Sequence, residues 1–203
     1  MTDLYIVRHG NTFEAGEAPS RIGARTDLPL TATGVTQARA LGRHFAEVGV
    51  TFSRVLSSPL RRTAATAGAI LQFQALPADI ETADFLTEID HGPDENRLEP
   101  AVTLRIGAAA LAAWDRAAVA PPGWQVDADR RVAAWREFIA GAADADTILL
   151  VTSNGAARFA LVALGLVSSG QTANVKLATG TYGIIRVGAD ASPALVEWNK
   201  RPD

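Results

Sequence analysis

The sequence predicts an α/β protein: a three-layer architecture in which an open, mostly parallel sheet carries helices on both faces. Three observations lead there. Short β-branched and aromatic runs alternate with helical stretches along the chain. The strongest run, Thr147 to Val151, is continuous and apolar, as central parallel strands are. No repeat and no long linker interrupts the alternation, so one domain over 1–203 is expected, with room for a helical insertion at about 93–127.

Residues 3–8 (Asp3-Leu4-Tyr5-Ile6-Val7-Arg8) read as a buried strand, followed by a polar Gly/Pro-rich loop from Gly10 to Pro29. Thr31 or Thr33 can cap a helix in which Val35, Ala38, Leu41, Phe45 and Val48 recur at helical spacing, with Gly49 ending it. Phe52 to Leu56 is a second strand. Ser57-Ser58-Pro59 then opens an Ala-rich helix to about Leu71. A short third strand is expected at 79–83, and 84–100 reads as a charged loop. Helices follow at about 101–118 and 128–142, separated by Pro121-Pro122-Gly123. The strand at 147–151 runs through Thr152-Ser153-Asn154-Gly155 into an apolar helix at 156–166, and strands near 182–187 and 194–198 finish the chain.

Composition narrows the function. With 48% hydrophobic and 20% charged residues, the 203-residue chain is no disordered segment. The absence of Cys excludes disulfides, thiolate metal sites and cysteine nucleophiles, leaving His9, His44 and His91 as the only histidines. A net charge of -3 argues against a nucleic-acid partner. The start, Met1-Thr2-Asp3-Leu4, lacks the features of a signal peptide. The longest apolar stretch, Phe159 to Val167, is half of what a membrane span needs. A soluble cytoplasmic protein with no membrane partner is expected; the oligomeric state is not readable. The excess of Arg over Lys reads as genomic base composition, so each Arg must be justified by position.

In open α/β sheets, ligands bind beyond the carboxyl ends of the strands. Arg8-His9-Gly10-Asn11-Thr12, Ser57 to Thr63 and Thr152 to Gly155 all fall there. Arg8 offers a planar fork for phosphate oxygens, Gly10 leaves room for a ligand, and nearby cations favour a neutral His9. Taken alone, the tripeptide reads rather as a His packed at a strand end beside an Arg paired to a carboxylate. Arg61 and Arg62 sit at a helix N-terminus, which disfavours cations unless an anion binds between them and the free N–H groups. A solvated surface role suits Arg61 better than Arg62.

Four ordered blocks now carry a resemblance. Leu4 to Thr12, Asp27-Leu28-Pro29-Leu30-Thr31 with Gly34 and Gln37-Ala38, Ser57 to Ala64 with Thr66-Ala67, and Leu86 to Gly92 resemble the signature of the histidine phosphatase superfamily, the phosphoglycerate mutase-like proteins. The resemblance implies that His9 is the nucleophile that becomes phosphohistidine, that Arg8 and Arg62 clamp the phosphate, and that Glu88 protonates the leaving oxygen and later helps activate water. It places Asn11, Thr12, Ser153 and Asn154 as further phosphate contacts. It requires no metal and no cofactor, and implies a small phosphorylated substrate. A raised pKa is expected for Glu88, as a general acid needs.

One departure stands out. Aligned on Gly155 and Arg158, Ser153 occupies the place of the superfamily's second catalytic His. A neutral donor in place of a charged one costs about 2–4 kcal/mol in the transition state, a roughly 30- to 1,000-fold slowing unless something compensates. His91 can do so if its loop folds over the site; a surface-loop position is the alternative. His44 is expected to be solvated. Arg21, Arg25, Arg97 and Trp124 read as solvated charges or a hydrophobic plug rather than as pocket residues. The leading reading is a phosphomonoester hydrolase; a phosphate-ligand binding or regulatory module is the alternative, and a phosphoglycerate mutase ranks last.

Overall fold

The computed structural model describes residues 1–142, 145–168, 170, 175–188 and 191–202. Its strands are β1 (Thr2–Arg8), β2 (Arg54–Ser57), β3 (Ile80–Thr82), β4 (Thr147–Thr152), β5 (Tyr182–Gly188) and β6 (Ala191–Lys200). They form one sheet in the order β3-β2-β4-β1-β5-β6. The first four are parallel; β5 and β6 join antiparallel. The sheet is therefore mixed, with a parallel centre and an antiparallel edge.

Alternation along the central strands assigns the two faces. Leu4, Ile6, Ile148 and Leu150 pack into a core with Trp114, Trp135, Phe159 and Leu161. Val7, Leu149 and Val151 turn to the other face, where they meet Leu41, Phe45, Ile70 and Tyr182. That second face is covered by α1 (Ala32–Glu47) and α2 (Arg61–Leu71). The first is covered by α3 (Glu99–Ile106), α4 (Ala108–Ala117), α5 (Ala128–Ala140) and α6 (Asn154–Ala163). Thr31 caps α1 through Gly34 N. Among the described residues no helix is long and apolar enough to cross a membrane.

Several expectations need correction. The helix expected at 101–118 is two, broken at Gly107, whose φ of 82° lies outside the helical region. The loop at 84–100 contains two 3-10 turns, Asp84–Leu86 and Gly92–Asp94. His44 is half-buried rather than freely solvated: its Nε2 lies 2.9 Å from the Tyr182 hydroxyl, because β5 carries that ring under α1.

Sheet register then builds the site. Arg8 is opposite Thr152, and Ser57 is opposite Val151. The segments that follow, His9-Gly10, Ser153-Asn154 and Ser58, thus leave the sheet side by side at one carboxyl edge. Backbone bonds continue the ladder there, from His9 N to Thr152 O (3.1 Å) and from Ser58 N to Val151 O (3.2 Å).

Candidate active site

His9 is 3% exposed. Its Nδ1 lies 2.7 Å from the carbonyl oxygen of Gly10, which can only accept, so Nδ1 carries the proton. Nε2 is left with its lone pair, and Arg62 Nε donates to it at 3.2 Å. Burial, together with the charges of Arg8 and Arg62, holds the imidazole pKa well below its usual value against the opposing Gly10 bond. The ring is therefore neutral at pH 7, in one tautomer.

Arg62 is fully buried on the first turn of α2. Its Nη1 donates to Thr26 O (2.8 Å) and its Nη2 to Gly23 O (3.2 Å), which aims Nε at His9. Glu95 in turn fixes that loop. One carboxylate oxygen accepts from Gly23 N (2.9 Å), Arg25 N (3.2 Å) and Thr26 Oγ1 (2.8 Å), and the other from His91 N (3.1 Å). Although burial pushes its pKa up, the hydrogen bonds from His91, Thr26 and the backbone pull it down to about 2.

The anion at the α2 N-terminus is a protein carboxylate: Arg61 N donates to Asp27 Oδ1 at 2.8 Å. Gly10 is also explained differently than expected. A Cβ there would collide with the backbone of Gly34, so its small size serves the packing of α1 against the strand end.

Glu88 is buried and behaves as the cap of α6, with Oε2 accepting from Gly155 N (3.0 Å) and Oε1 from Ile89 N (2.9 Å). The expectation of a raised pKa is overturned. Burial does push it up, but His91, these two N–H bonds and Arg62 together bring it below the ordinary carboxylate value. A Cβ on Gly155 would overlap the Glu88 carboxylate, so a side chain there would push that carboxylate from its place. Since Glu88 takes the capping role, Ser153, although in the N-cap position, does not use its hydroxyl, which is buried without a partner.

Arg8 donates from Nη1 to Leu177 O (2.7 Å), while its Nε is buried and unpaired. Its pKa is lowered to about 10 by burial, with Glu88 opposing and Arg62 and Arg21 adding to the shift. Asn154 Oδ1 accepts from Leu177 N (2.8 Å), and Asn11 Oδ1 from Thr179 Oγ1 (2.5 Å), so both side chains steady the loop that holds Arg8.

These groups surround a cavity of about 410 Å³. Arg8, His9, Asn11, Thr12, Glu88 and Asn154 line it, whereas Arg62 and Ser153 are not among the lining residues. His91 does line it, packed edge-on against Trp124 with its ring centroid 4.6 Å away. Arg21 also lines it, against expectation, together with Phe13, Glu14, Glu17, Glu99 and Trp114, which the sequence did not mark. Arg25 is exposed, its Nε 2.9 Å from Asp90 Oδ2, and Arg97 is exposed too. Among the described residues no group of three or more His, Cys, Asp or Glu is placed to hold a metal ion.

With this geometry in place, residues 4–201 match the histidine phosphatase superfamily (branch 1). The chain belongs to that superfamily. Curated relatives include the probable phosphoglycerate mutases GpmB of Proteus mirabilis (strain HI4320), 39% identical over 97 residues, and of Salmonella arizonae, 40% identical over 97 residues. Each match covers 48% of this chain and 42% of the relative, so less than half of those proteins is matched. Among solved structures, the alpha-ribazole phosphatase of Shigella flexneri superposes with a TM-score of 0.69 at 24% identity, covering 98% of this chain and 96% of that one. A mycobacterial glucosyl-3-phosphoglycerate phosphatase superposes with a TM-score of 0.77 at 22% identity, covering 98% and 99%. The fold is the phosphoglycerate mutase-like α/β fold.

Proposed function

We propose that the protein is a phosphomonoester hydrolase that moves a phosphoryl group from a small phosphorylated metabolite to His9 Nε2 and then to water. The observation that carries this reading is the fixed tautomer of His9: Nδ1 is spent on Gly10 O, and an unprotonated, neutral Nε2 accepts from the buried Arg62 guanidinium, a bond that gives way when Nε2 meets phosphorus. In the first step the Nε2 lone pair forms a bond to phosphorus as the bond to the alcohol oxygen breaks. The departing oxygen takes a proton from Glu88, whose pKa rises when phosphate charge arrives beside it. In the second step water attacks phosphorus and gives a proton to the Glu88 carboxylate. The N–P bond breaks, inorganic phosphate leaves, and the lone pair returns to Nε2. Arg8 and Arg62 stabilise the charge on the transferring group, which is most of what such a reaction demands.

Ser153 stands, on this reading, where the superfamily's second catalytic His would be. Its hydroxyl can donate to a phosphoryl oxygen without giving up an existing bond. That Ser153 brings no charge favours a second reading, a phosphate-ligand binding module with little turnover.

A phosphoenzyme trap separates the two. The protein is mixed with a phosphomonoester, quenched in alkali so that phosphohistidine survives, and weighed intact beside His9→Ala. Added phosphate on the wild type alone, with phosphate release, is the expected result. The variant should lose roughly 10⁴-fold or more in rate. An adduct without release would point to a stalled second step, and ligand binding with neither adduct nor release would favour the binding module.

A further inference from the structure

The cavity divides by charge. Its inner end holds Arg8 and His9, with Arg62 behind them; its outer part carries Glu14, Glu17 and Glu99 and one guanidinium, Arg21. Glu14 is engaged at the start of α1, accepting from Ala32 N at 3.2 Å. Arg21 would be the natural contact for a second anionic group on a substrate, but its charge is already paired, although its Nε is buried without a partner. Its Nη2 is hydrogen-bonded and ion-paired to Glu99 Oε2.

This pair differs from an incidental surface contact because the backbone builds it. Arg21 N donates to Arg97 O and Asn96 N donates to Arg21 O, both at 2.8 Å, and Ser20 bridges Leu98. These bonds fix Arg21 against the segment that enters α3, where Glu99 is the first residue. The guanidinium also lies 4.9 Å from the Trp124 ring centre, and Trp124 Nε1 is tied to Asp94 Oδ2 at 2.7 Å. Arg21 is held on one side by an aromatic face and neutralised on the other by a carboxylate.

We infer that Glu99, by occupying Arg21, is a specificity-determining residue that makes the outer cavity select monophosphates of alcohols bearing no second anion. This rests on the phosphatase reading for its substrate class. The rim left to a leaving group is acidic where it is charged and apolar at Phe13, Pro19, Ile22 and Trp114. A carboxylate on the leaving group would meet Glu17 and Glu99, with the charge of Arg21 already paired to Glu99, a repulsive element of the kind that sets specificity. An uncharged, partly apolar alcohol meets no such penalty.

The test uses two esters of the same carbon skeleton, sn-glycerol 3-phosphate and 3-phosphoglycerate, which differ by a carboxylate in place of a hydroxymethyl group. Wild-type protein should favour the former in kcat/KM by roughly tenfold or more. Glu99→Gln frees Arg21 and should lower that preference by roughly tenfold, and adding Arg21→Gln should remove the gain. Glu17→Gln, at an exposed rim position, should shift the preference the same way by less and serves if Glu99→Gln does not fold. Both esters are also titrated calorimetrically onto His9→Ala protein with and without Glu99→Gln, so the preference is read as a ratio of Kd even without turnover. No phosphate release, with the Kd preference intact and dependent on Glu99, would sink the phosphatase reading and leave charge selection standing. Equal use of the two esters by the wild type, or a preference that neither acidic substitution moves, would overturn the inference.

Discussion

The inner and outer ends of the cavity are held by different means. At the inner end, positions follow from the sheet: three segments leave adjacent strands in fixed register, and His9, Ser153 and Ser58 inherit their spacing from the ladder. At the outer end, Arg21 and Glu99 stand 78 residues apart in sequence, and no strand pairing brings them together. The inner end is rigid and buried, suited to holding a phosphoryl group during transfer. At the outer end loop backbone bonds bring Arg21 to Glu99, but the charge there is set by side chains, so single substitutions can retune it without touching the chemistry.

Glu88 joins the two ends and gives the largest expected effect. Glu88→Gln keeps an acceptor for only one of the two N–H groups, Gly155 N and Ile89 N, and cannot deliver a proton. Hydrolysis of an alkyl phosphate should fall about 10²- to 10⁴-fold. Hydrolysis of p-nitrophenyl phosphate, whose leaving group needs no proton, should fall far less. The pH dependence follows from the sign of the shift. A lowered pKa means that Glu88 is ionised in the empty site at neutral pH, so kcat/KM for the alkyl ester should climb only at acid pH, near or below the ordinary carboxylate range. In kcat the same rise should appear at higher pH, because bound phosphate raises the group. Equal losses on both esters would break the assignment.

Glu95 tests whether the inner end depends on its supports. It does not line the cavity itself, yet it orders the loop whose carbonyls aim Arg62 and accepts from the backbone of His91, which does line it. A carboxylate pulled from 4.5 to about 2 stabilises the fold at neutral pH by about 2–3 kcal/mol, fully present above the unfolded-state pKa and lost as pH falls toward 2. Glu95→Ala should cost at least that in chemical denaturation at pH 7, with the gap to wild type narrowing below about pH 4.5. A constant gap across that range would show that packing, not charge, is what Glu95 supplies.

The sequence made the inner end readable because strand period, helix spacing and loop motifs are local. The runs at 3–8 and 147–151 appear as strands within a residue or so of their bounds, and the motifs at their ends converge. Glu88 was legible as a candidate but its titration was not, since that depends on the first turn of α6 aiming Gly155 N, 67 residues later, at its carboxylate. The break at Gly107 went unread because Ala-rich stretches on either side continue the helical pattern. Arg21 and Glu99 were beyond reach for the same reason that makes the rim adjustable: their pairing is a property of two loops meeting and leaves no periodic trace.

Ser153 offers the finest test of the comparison, because the two ends predict opposite signs. If the hydroxyl belongs to the fold, removing it should destabilise the protein. It has no partner, however, and burying an unpaired polar group is unfavourable by about 1–3 kcal/mol. Ser153→Ala should therefore unfold at the same or a higher temperature than wild type. If the hydroxyl is kept to meet a phosphoryl oxygen, the same variant should lose roughly five- to tenfold in kcat, the worth of one neutral hydrogen bond. Stability unchanged or raised with kcat lowered would place Ser153 in the transition state. Lower stability with unchanged kcat would return it to the fold and leave the inner end with only its arginines to stabilise the transferring group.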